Sequence, residues 1–573
     1  MLNSNEQVSY LGLHQGHNSS VAMVEDGFVT FAMQEERVSR VKNQGGFPRG
    51  ALDRCNQQTG KINLAFAGGR IINAPWRREE VIAGYGNPRP QMGSSLKRFA
   101  RTFAPISKAI DQRRVEQLCG DVGKSMPDSD IDFHFVDHHQ CHAASAYFAK
   151  GDMDSKVLVL TCDGAGDELC ASVSIGHKGQ LQRISGISKD SSIGRLYANI
   201  TFLMGMVPLE HEYKLMGLAP YAEHSSDAIA IRDMFRSLFR FTEDGMGWSL
   251  SKGVPAMQFA SEFLASRLMR KRFDHVAAGL QLFTQEFLVE WVENCIGQTG
   301  IPNLALGGGV FMNVKANQRI LESPKVESCF FMPSCGDETN VFGAAWSQYV
   351  EKTGMEPEPL THLYLGDEFQ DEEIEESIAA YKFSDRPRVE QADEIEQKVA
   401  SLLASGEVVA RFAGRMEFGA RSLGNRAILA NPSSSTAVKT INKMIKNRDF
   451  WMPFTPSVLP HRVDDYFVRP KGISVPYMIV TLDSKKEVQD TIPAVLHPFD
   501  GTGRPQEVFE DWNPSYYEVI ETFESLSGIG LILNTSFNLH GEPVVRTPSD
   551  ALRVFELSGL QHLALGSFLL SKT

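Results

Sequence analysis

Twice in this chain a short apolar run breaks into a polar turn and resumes as a second apolar run. The first instance is YLGLHQGHNSSVAMVEDGFVTFAMQEERVSR at residues 10–40, where Asp26-Gly27 adds a hairpin signal and a third strand. The second begins at Lys156 with VLVLTCDGAGDELCASVSI: again a strand, a Gly-rich acidic turn and a strand. Two such openings predict a duplicated α/β core. Between them, VDHHQCHAASAYFAK at 136–150 is rich in Ala and lacks Gly and Pro, so it reads as a helix. Residues 273–317 read as a long helix, a short buried strand within NLALGGG, and a further helix. Gly and Pro breakers at 353–366, TGMEPEPLTHLYLG, mark a domain boundary. Beyond it, 391–405 reads as a helix, and GEVVARF and LILNTSF read as strands. No short-period repeat or low-complexity tract is present in the sequence, which excludes a solenoid.

At 573 residues the chain is too long for one ordinary core, and two large domains are expected. With 42% hydrophobic and 22% charged residues it has the composition of a folded globular protein. The net charge of -13 makes nucleic acid a poor partner. MLNSNEQVSYLGL has no basic region followed by an apolar one, so it does not read as a secretory signal, and no apolar run approaches the length of a membrane span. The cysteines are scattered without a CxxC pair, which suits reduced thiols and a cytoplasmic location. Residues 77–114 are rich in Arg and Lys and read as a solvated insertion rather than a nucleic-acid surface.

The sharpest chemical signal is His138 and His142, four apart on the expected helix and therefore on one face. A metal needs further ligands, and Asp163 in CDGAGD and Asp337 in PSCGDETN are the candidates. Two histidines with two aspartates suit iron, with manganese and zinc as alternatives; an HxxxH pair alone also occurs on ordinary helix surfaces. The turns His17-Asn18-Ser19-Ser20, Asp163-Gly164-Ala165-Gly166-Asp167 and Gly307-Gly308-Gly309 each follow an apolar strand, where backbone N–H groups can approach phosphate. In the C-terminal part, RMEFGARSLGNR, NKMIKNRDFWMPFTPS and NTSFNLHGEPVVRTP present arginines among Gly and Asn, an arrangement suited to a phosphate or nucleotide.

Taken in order, GLHQGHNSSVAMVEDG, EERVSRVKNQGGFP, DHHQCHAASAYF, DGAGD, EYKLMGLAPY, LGGGVFMNVKAN, GDETNVFGAA, GRMEFGARSLGNRAIL, NRDFWMPFTPSVL and NTSFNLHGEPVV resemble the NodU/CmcH family of carbamoyltransferases over essentially the whole chain. The resemblance implies an α/β fold: an actin/hexokinase-like (ASKHA) duplicated domain over 1–355, similar to the metal-dependent tRNA threonylcarbamoyl transferase subunit, and a YrdC-like α/β domain over 366–573. It implies an ATP-dependent O-carbamoyltransferase that forms carbamoyl adenylate from carbamoyl phosphate and ATP. The carbamoyl group would pass to a hydroxyl of a small metabolite, as in antibiotic and other natural-product biosynthesis. Carried over by position, His138, His142, Asp163 and Asp337 would hold a divalent metal, iron(II) first, with magnesium accompanying ATP. His17 and Lys42 would be catalytic. Gly164, Gly166, Lys214, Gly217, Gly307, Gly308 and Asn313 would bind the adenylate, and Arg421, Arg448, Asn534, Ser536 and Arg546 would bind carbamoyl phosphate and ATP. Asn18 stands where many relatives carry Asp. No nucleic acid and no membrane is expected as a partner, and a homo-oligomer is left open. An ASKHA-type kinase, a tRNA threonylcarbamoyl-type transferase and a nucleotide-dependent scaffold are the competing readings.

Overall fold

A computed structural model describes residues 8–55, 61–68, 78–86, 104–127, 129–434, 436–446 and 448–572. The chain divides into two compact units, one of Met1–Ser39 with Asn43–Leu360, the other of Arg40–Lys42 with Thr361–Thr573. In the basic stretch at 77–114, Arg77, Arg89, Lys97, Arg98 and Arg101 lie outside the described residues; helices at Arg78–Gly86 and Ala104–Ser125 lie within it. Among the described residues no helix is long and apolar enough to cross a membrane.

The first unit contains two five-stranded sheets of one topology. In the first sheet, Val8–His14 pairs antiparallel with Ser20–Glu25, which pairs antiparallel with Phe28–Gln34. On its other edge Val8–His14 is parallel to Lys61–Ala67, which is parallel to Asp130–Val136. The second sheet repeats this plan. Val157–Gly166, Leu169–His177 and Gln180–Ser188 form the meander, and Asn303–Gly307 and Ser328–Phe331 add the parallel strands in the same order. Equivalent hairpins even use equivalent turns: Asp26-Gly27 and Lys178-Gly179 both place two successive residues at positive φ, the geometry that matches strand twist. Apolar residues of alternating strands, among them Leu11, Leu13, Val21, Leu64 and Phe66, close the first core with Leu118 and Val122.

Each sheet's fifth strand leads into a helix, His138–Lys150 in the first repeat and Asn340–Thr353 in the second. The two helices pack closely. Ser145 Oγ donates to the Thr339 carbonyl at 2.7 Å and accepts from Gly343 N–H at 3.0 Å. A Cβ on Gly343 would stand 2.0 Å from the Cys141 carbonyl oxygen, so only glycine permits the approach.

The second unit is built on an eight-stranded mixed sheet. Its order is Arg388–Gln391, Phe568–Ser571, His562–Leu565, Val409–Phe412, Arg426–Ala430, Leu531–Ser536, Thr455–Val458 and Gln506–Glu507. Helices Ile395–Ala404 and Pro514–Ser527 cover it through Val399, Leu403, Val519 and Phe523, packed on Val409, Leu429 and Ile532. The helix expected over 391–405 begins only at Ile395. Gln391 is instead the last residue of an edge strand, held by antiparallel pairing with Phe568–Ser571.

Candidate metal centre and cation cluster

Asp137 caps the histidine helix, its Oδ1 accepting Gln140 N–H at 2.9 Å, and Arg183 pairs with that carboxylate. The first N–H of the helix, from His138, reaches Asp167 Oδ2 at 2.8 Å. Asp167 and Glu168 both sit at positive φ in the turn after Val157–Gly166, and this bond offsets part of the strain of that turn. Gly166 lies directly under the ring: a Cβ there would be 2.1 Å from His138 Cγ.

This scaffold brings His138, His142, Asp163 and Asp337 together, with one donor atom from each within 4.8 Å of all the others. His138 Nε2 is 3.1 Å from His142 Nε2 and 3.5 Å from both Asp163 Oδ2 and Asp337 Oδ1; His142 Nε2 is 3.3 Å from Asp337 Oδ1. Asp163 is presented where pairing with Leu169–His177 shifts register after Cys162, and its Oδ1 accepts Gly309 N–H at 2.9 Å. Asp337 comes from the turn ahead of Asn340–Thr353, fixed by a 2.9 Å bond from Ser20 Oγ to the Glu338 carbonyl.

Burial works against charge on His138, Asp163 and Asp337, yet their neighbours overcome it. For His138, burial is outweighed by Asp337 and by the Asp163 hydrogen bond, which push it up to about 9. Asp163 is held well below the carboxylate range despite burial, by the His138 hydrogen bond and the charges of His142 and His138. Asp337 is held low against burial and against Asp163 by His138, a bond to His142, and His14. Two ionised carboxylates and two imidazoles converging in a buried pocket are the donor set of a divalent cation, so the residues fit the metal that the sequence implies.

His17 belongs to the same neighbourhood: burial lowers its pKa, and Asp337 and Asp163 oppose that. His14, which sequence reasoning passed over, lies 3.8 Å from Asp337 Oδ2 and bonds the His17 carbonyl at 3.1 Å. Asn18, at φ +57°, neighbours Glu338, whose carboxyl burial pushes up to about 7.

The second unit gathers cations. Lys446, at the end of a π-helical turn, is buried and donates to Asn538 Oδ1 at 2.8 Å and Ser536 Oγ at 3.1 Å. Burial, then Arg448 and Lys42, hold its amine well below the ordinary lysine value. Arg448 donates to Thr535 Oγ1 at 3.0 Å and lies 5.0 Å over the Phe454 ring. Arg504 is held well below its ordinary value by burial and by Arg421 and Arg448; its Nε has no hydrogen-bond partner among the described residues. The loop bearing Arg421 is fixed from inside by Glu417. Glu417 Oε1 accepts N–H from Leu423, Asn425 and Arg426 at 2.9, 2.8 and 3.1 Å. Arg426 is fully buried, donates to the Ala413 and Asn425 carbonyls at 2.8 and 3.0 Å, and stacks 3.7 Å over Phe412.

Two family models match the chain, described as Carbamoyltransferase N-terminus over 107–346 and Carbamoyltransferase C-terminus over 400–572. The first spans all four donors of the metal pocket, the second all of Arg421, Lys446, Arg448 and Arg504. The chain belongs to the carbamoyltransferase family. It is 30% identical to nodulation protein NolO of Bradyrhizobium diazoefficiens over 76% of this chain and 79% of that one. Nodulation protein NolNO of Sinorhizobium fredii is 29% identical over 97% of this chain and 79% of its own. Among solved structures it is similar to full-length HypF, at 13% identity and a TM-score of 0.35, over 61% of this chain and 57% of that one.

The other expected residues of this carbamoyltransferase have definite places. Gly307 and Gly308 lie where a Cβ would meet the carbonyl oxygens of His142 at 2.8 Å and Cys162 at 2.4 Å, so their immediate role is close packing beside the metal pocket. Around Gly164 a Cβ would meet open space. Asn313 caps Val314–Glu322 and exchanges two 2.9 Å bonds with Gln281, which also accepts from Tyr197 at 3.0 Å. Lys214 and Gly217 lie on the helix Glu212–Leu218. Lys42, expected beside His17, is grouped with the second unit, near Lys446. Asn534 is buried and bonded to Ser422, Ser457 and Gln506, and Arg546 is paired with Asp367. Lys446 and Arg504 are the binding candidates that the sequence did not reveal.

Proposed function

We propose that this carbamoyltransferase makes carbamoyl adenylate from carbamoyl phosphate and ATP and transfers the carbamoyl group to a hydroxyl of a small metabolite in natural-product biosynthesis. The observation that carries this reading is the cation cluster: Arg448 stands close enough to buried Lys446, and Arg421 and Arg448 to Arg504, to disfavour their charged forms, and a polyanion would relieve that repulsion. A phosphate-rich ligand supplies that charge. Carbamoyl phosphate loses phosphate to water to give carbamate. The carbamate oxygen then displaces pyrophosphate from the α-phosphorus of ATP, and the arginines offset the charge that accumulates. We read this unit, over 366–573, as YrdC-like, and the unit over 1–355, from its paired sheets, as ASKHA-type.

Transfer is assigned to the first unit. His138, His142, Asp163 and Asp337 would hold a divalent ion, iron(II) in our reading, which supplies Lewis-acid polarisation and orientation of the adenylate. His17, kept neutral by burial, takes the proton as the acceptor hydroxyl attacks the carbamoyl carbon and AMP leaves. Gly164, Gly166, Lys214, Gly217 and Asn313 are proposed to line the adenylate site; in the second unit Lys42 is proposed to act beside Lys446, with magnesium accompanying ATP. Arg421→Ala and Arg448→Ala should each abolish pyrophosphate release while leaving transfer from synthetic carbamoyl adenylate intact. Normal pyrophosphate release by both variants would remove activation from this cluster.

A further inference from the structure

Asn340, the first residue of Asn340–Thr353, is fully buried beside the metal pocket. Its Nδ2 lies 3.3 Å from His142 Nε2 and 3.5 Å from His138 Nδ1. Its Oδ1 is buried and has no hydrogen-bond partner among the described residues. A half-turn exchanges the oxygen and nitrogen of a carboxamide, so their assignment follows from the partners. His138 aims Nε2 at Asp163 and Asp337; a neutral imidazole that gives Nε2 to a metal carries its hydrogen on Nδ1 and needs an acceptor there. With NH₂ at that place, donor faces donor. The same NH₂ also points at His142 Nε2 and competes for the lone pair that a metal would take.

We propose that Asn340 is a positioning residue of the metal centre: with the ion bound, its carboxamide is turned so that Oδ1 accepts Nδ1–H of His138. This fixes the tautomer and ring plane that keep both Nε2 atoms facing the ion, and it gives the buried Oδ1 the donor it lacks. The inference rests on the four-donor reading of the pocket and adds a residue to it.

The test is titration of the full chain with Co(II), followed by visible absorbance and by competition with a chelator. N340L matches the side chain in size but cannot accept a hydrogen bond, and should bind Co(II) about 10–100-fold more weakly. N340D keeps an acceptor at the same place and should bind at least as tightly as the wild type, with the wild-type band shape. Wild-type affinity in N340L, or a loss in N340D equal to that in N340L, would overturn the proposal while leaving the four donors in place. Absence of Co(II) binding by the wild type would remove the metal centre and this proposal together. If circular dichroism shows N340L to be unfolded, N340A against N340D gives the same comparison.

Discussion

Nε2 of His138 stands 3.1 Å from Nε2 of His142, a separation at which the two rings cannot both carry a proton on those atoms. One shared proton or one cation resolves the contact. His142→Ala should therefore leave the chain folded but lower its content of tightly bound metal by at least tenfold, measured by elemental analysis after dialysis; full occupancy would remove His142 from the ligands.

His17 should matter for transfer more than for activation. His17→Asn keeps a polar group of similar reach that cannot take a proton, so carbamoylated product should fall by about 10²–10⁴-fold while pyrophosphate release is unchanged. A loss below about tenfold, with metal and ATP binding intact, would make His17 a positioning residue.

Phosphate binding should draw a proton onto Lys446. The amine is held well below its ordinary value by burial and by neighbouring cations, and an anion favours its charged form. Titration calorimetry with inorganic phosphate, in two buffers of different ionisation heat, should show more proton uptake, or less release, in the wild type than in Lys446→Met. A proton balance unchanged in the variant would count against a ligand at this amine.

Glu212 gives a pH signature of its own. Burial pushes its carboxyl up from 4.5 to about 7, although Leu209 N–H, at a strained φ of +66°, donates to it at 2.6 Å. A raised carboxyl favours the folded state below the unfolded value of about 4.5 and loses that contribution as pH rises through about 7. Glu212→Gln should thus gain stability relative to wild type between pH 5 and 8, by on the order of 1–3 kcal/mol. Parallel denaturation curves of the two proteins across that range would refute the assignment.

Removing Glu417 should loosen the Arg421 loop. Glu417→Ala leaves three backbone N–H groups without their acceptor and Arg426 without its buried counter-charge, a cost of about 3–5 kcal/mol. Glu417→Gln keeps an acceptor oxygen and should lose clearly less. Equal losses in urea denaturation would mean that the acceptor does not hold the loop.

The convergence of His138, His142, Asp163 and Asp337 was legible because each sits in a pattern that survives in one dimension: histidines one helical turn apart, and aspartates beside glycines after apolar runs. The two openings likewise announced the repeated meander, since hairpin turns and strand alternation are local. Lys446 and Arg504 were hidden. One ends a π-helical turn and the other lies in a loop ahead of a two-residue strand, and only the folded second unit brings them to Arg421 and Arg448. For Asn534 and Arg546 the sequence did not disclose the intramolecular partners, Ser457 and Gln506 beside the one and Asp367 beside the other.

The repeated sheets also explain why this pocket can be lopsided. The turn after the first strand holds His17 in one repeat, while the last part of that strand holds Asp163 in the other, and the segment after the fifth strand holds His138 in one and Asp337 in the other. Two identical subunits closing over an ion would be compelled to offer the same atoms from both sides. Joined in one polypeptide, the halves are released from that mirror: one can contribute two imidazoles and the other two carboxylates, giving an ion nitrogen donors from one half and oxygen donors from the other and giving an incoming molecule a left and a right.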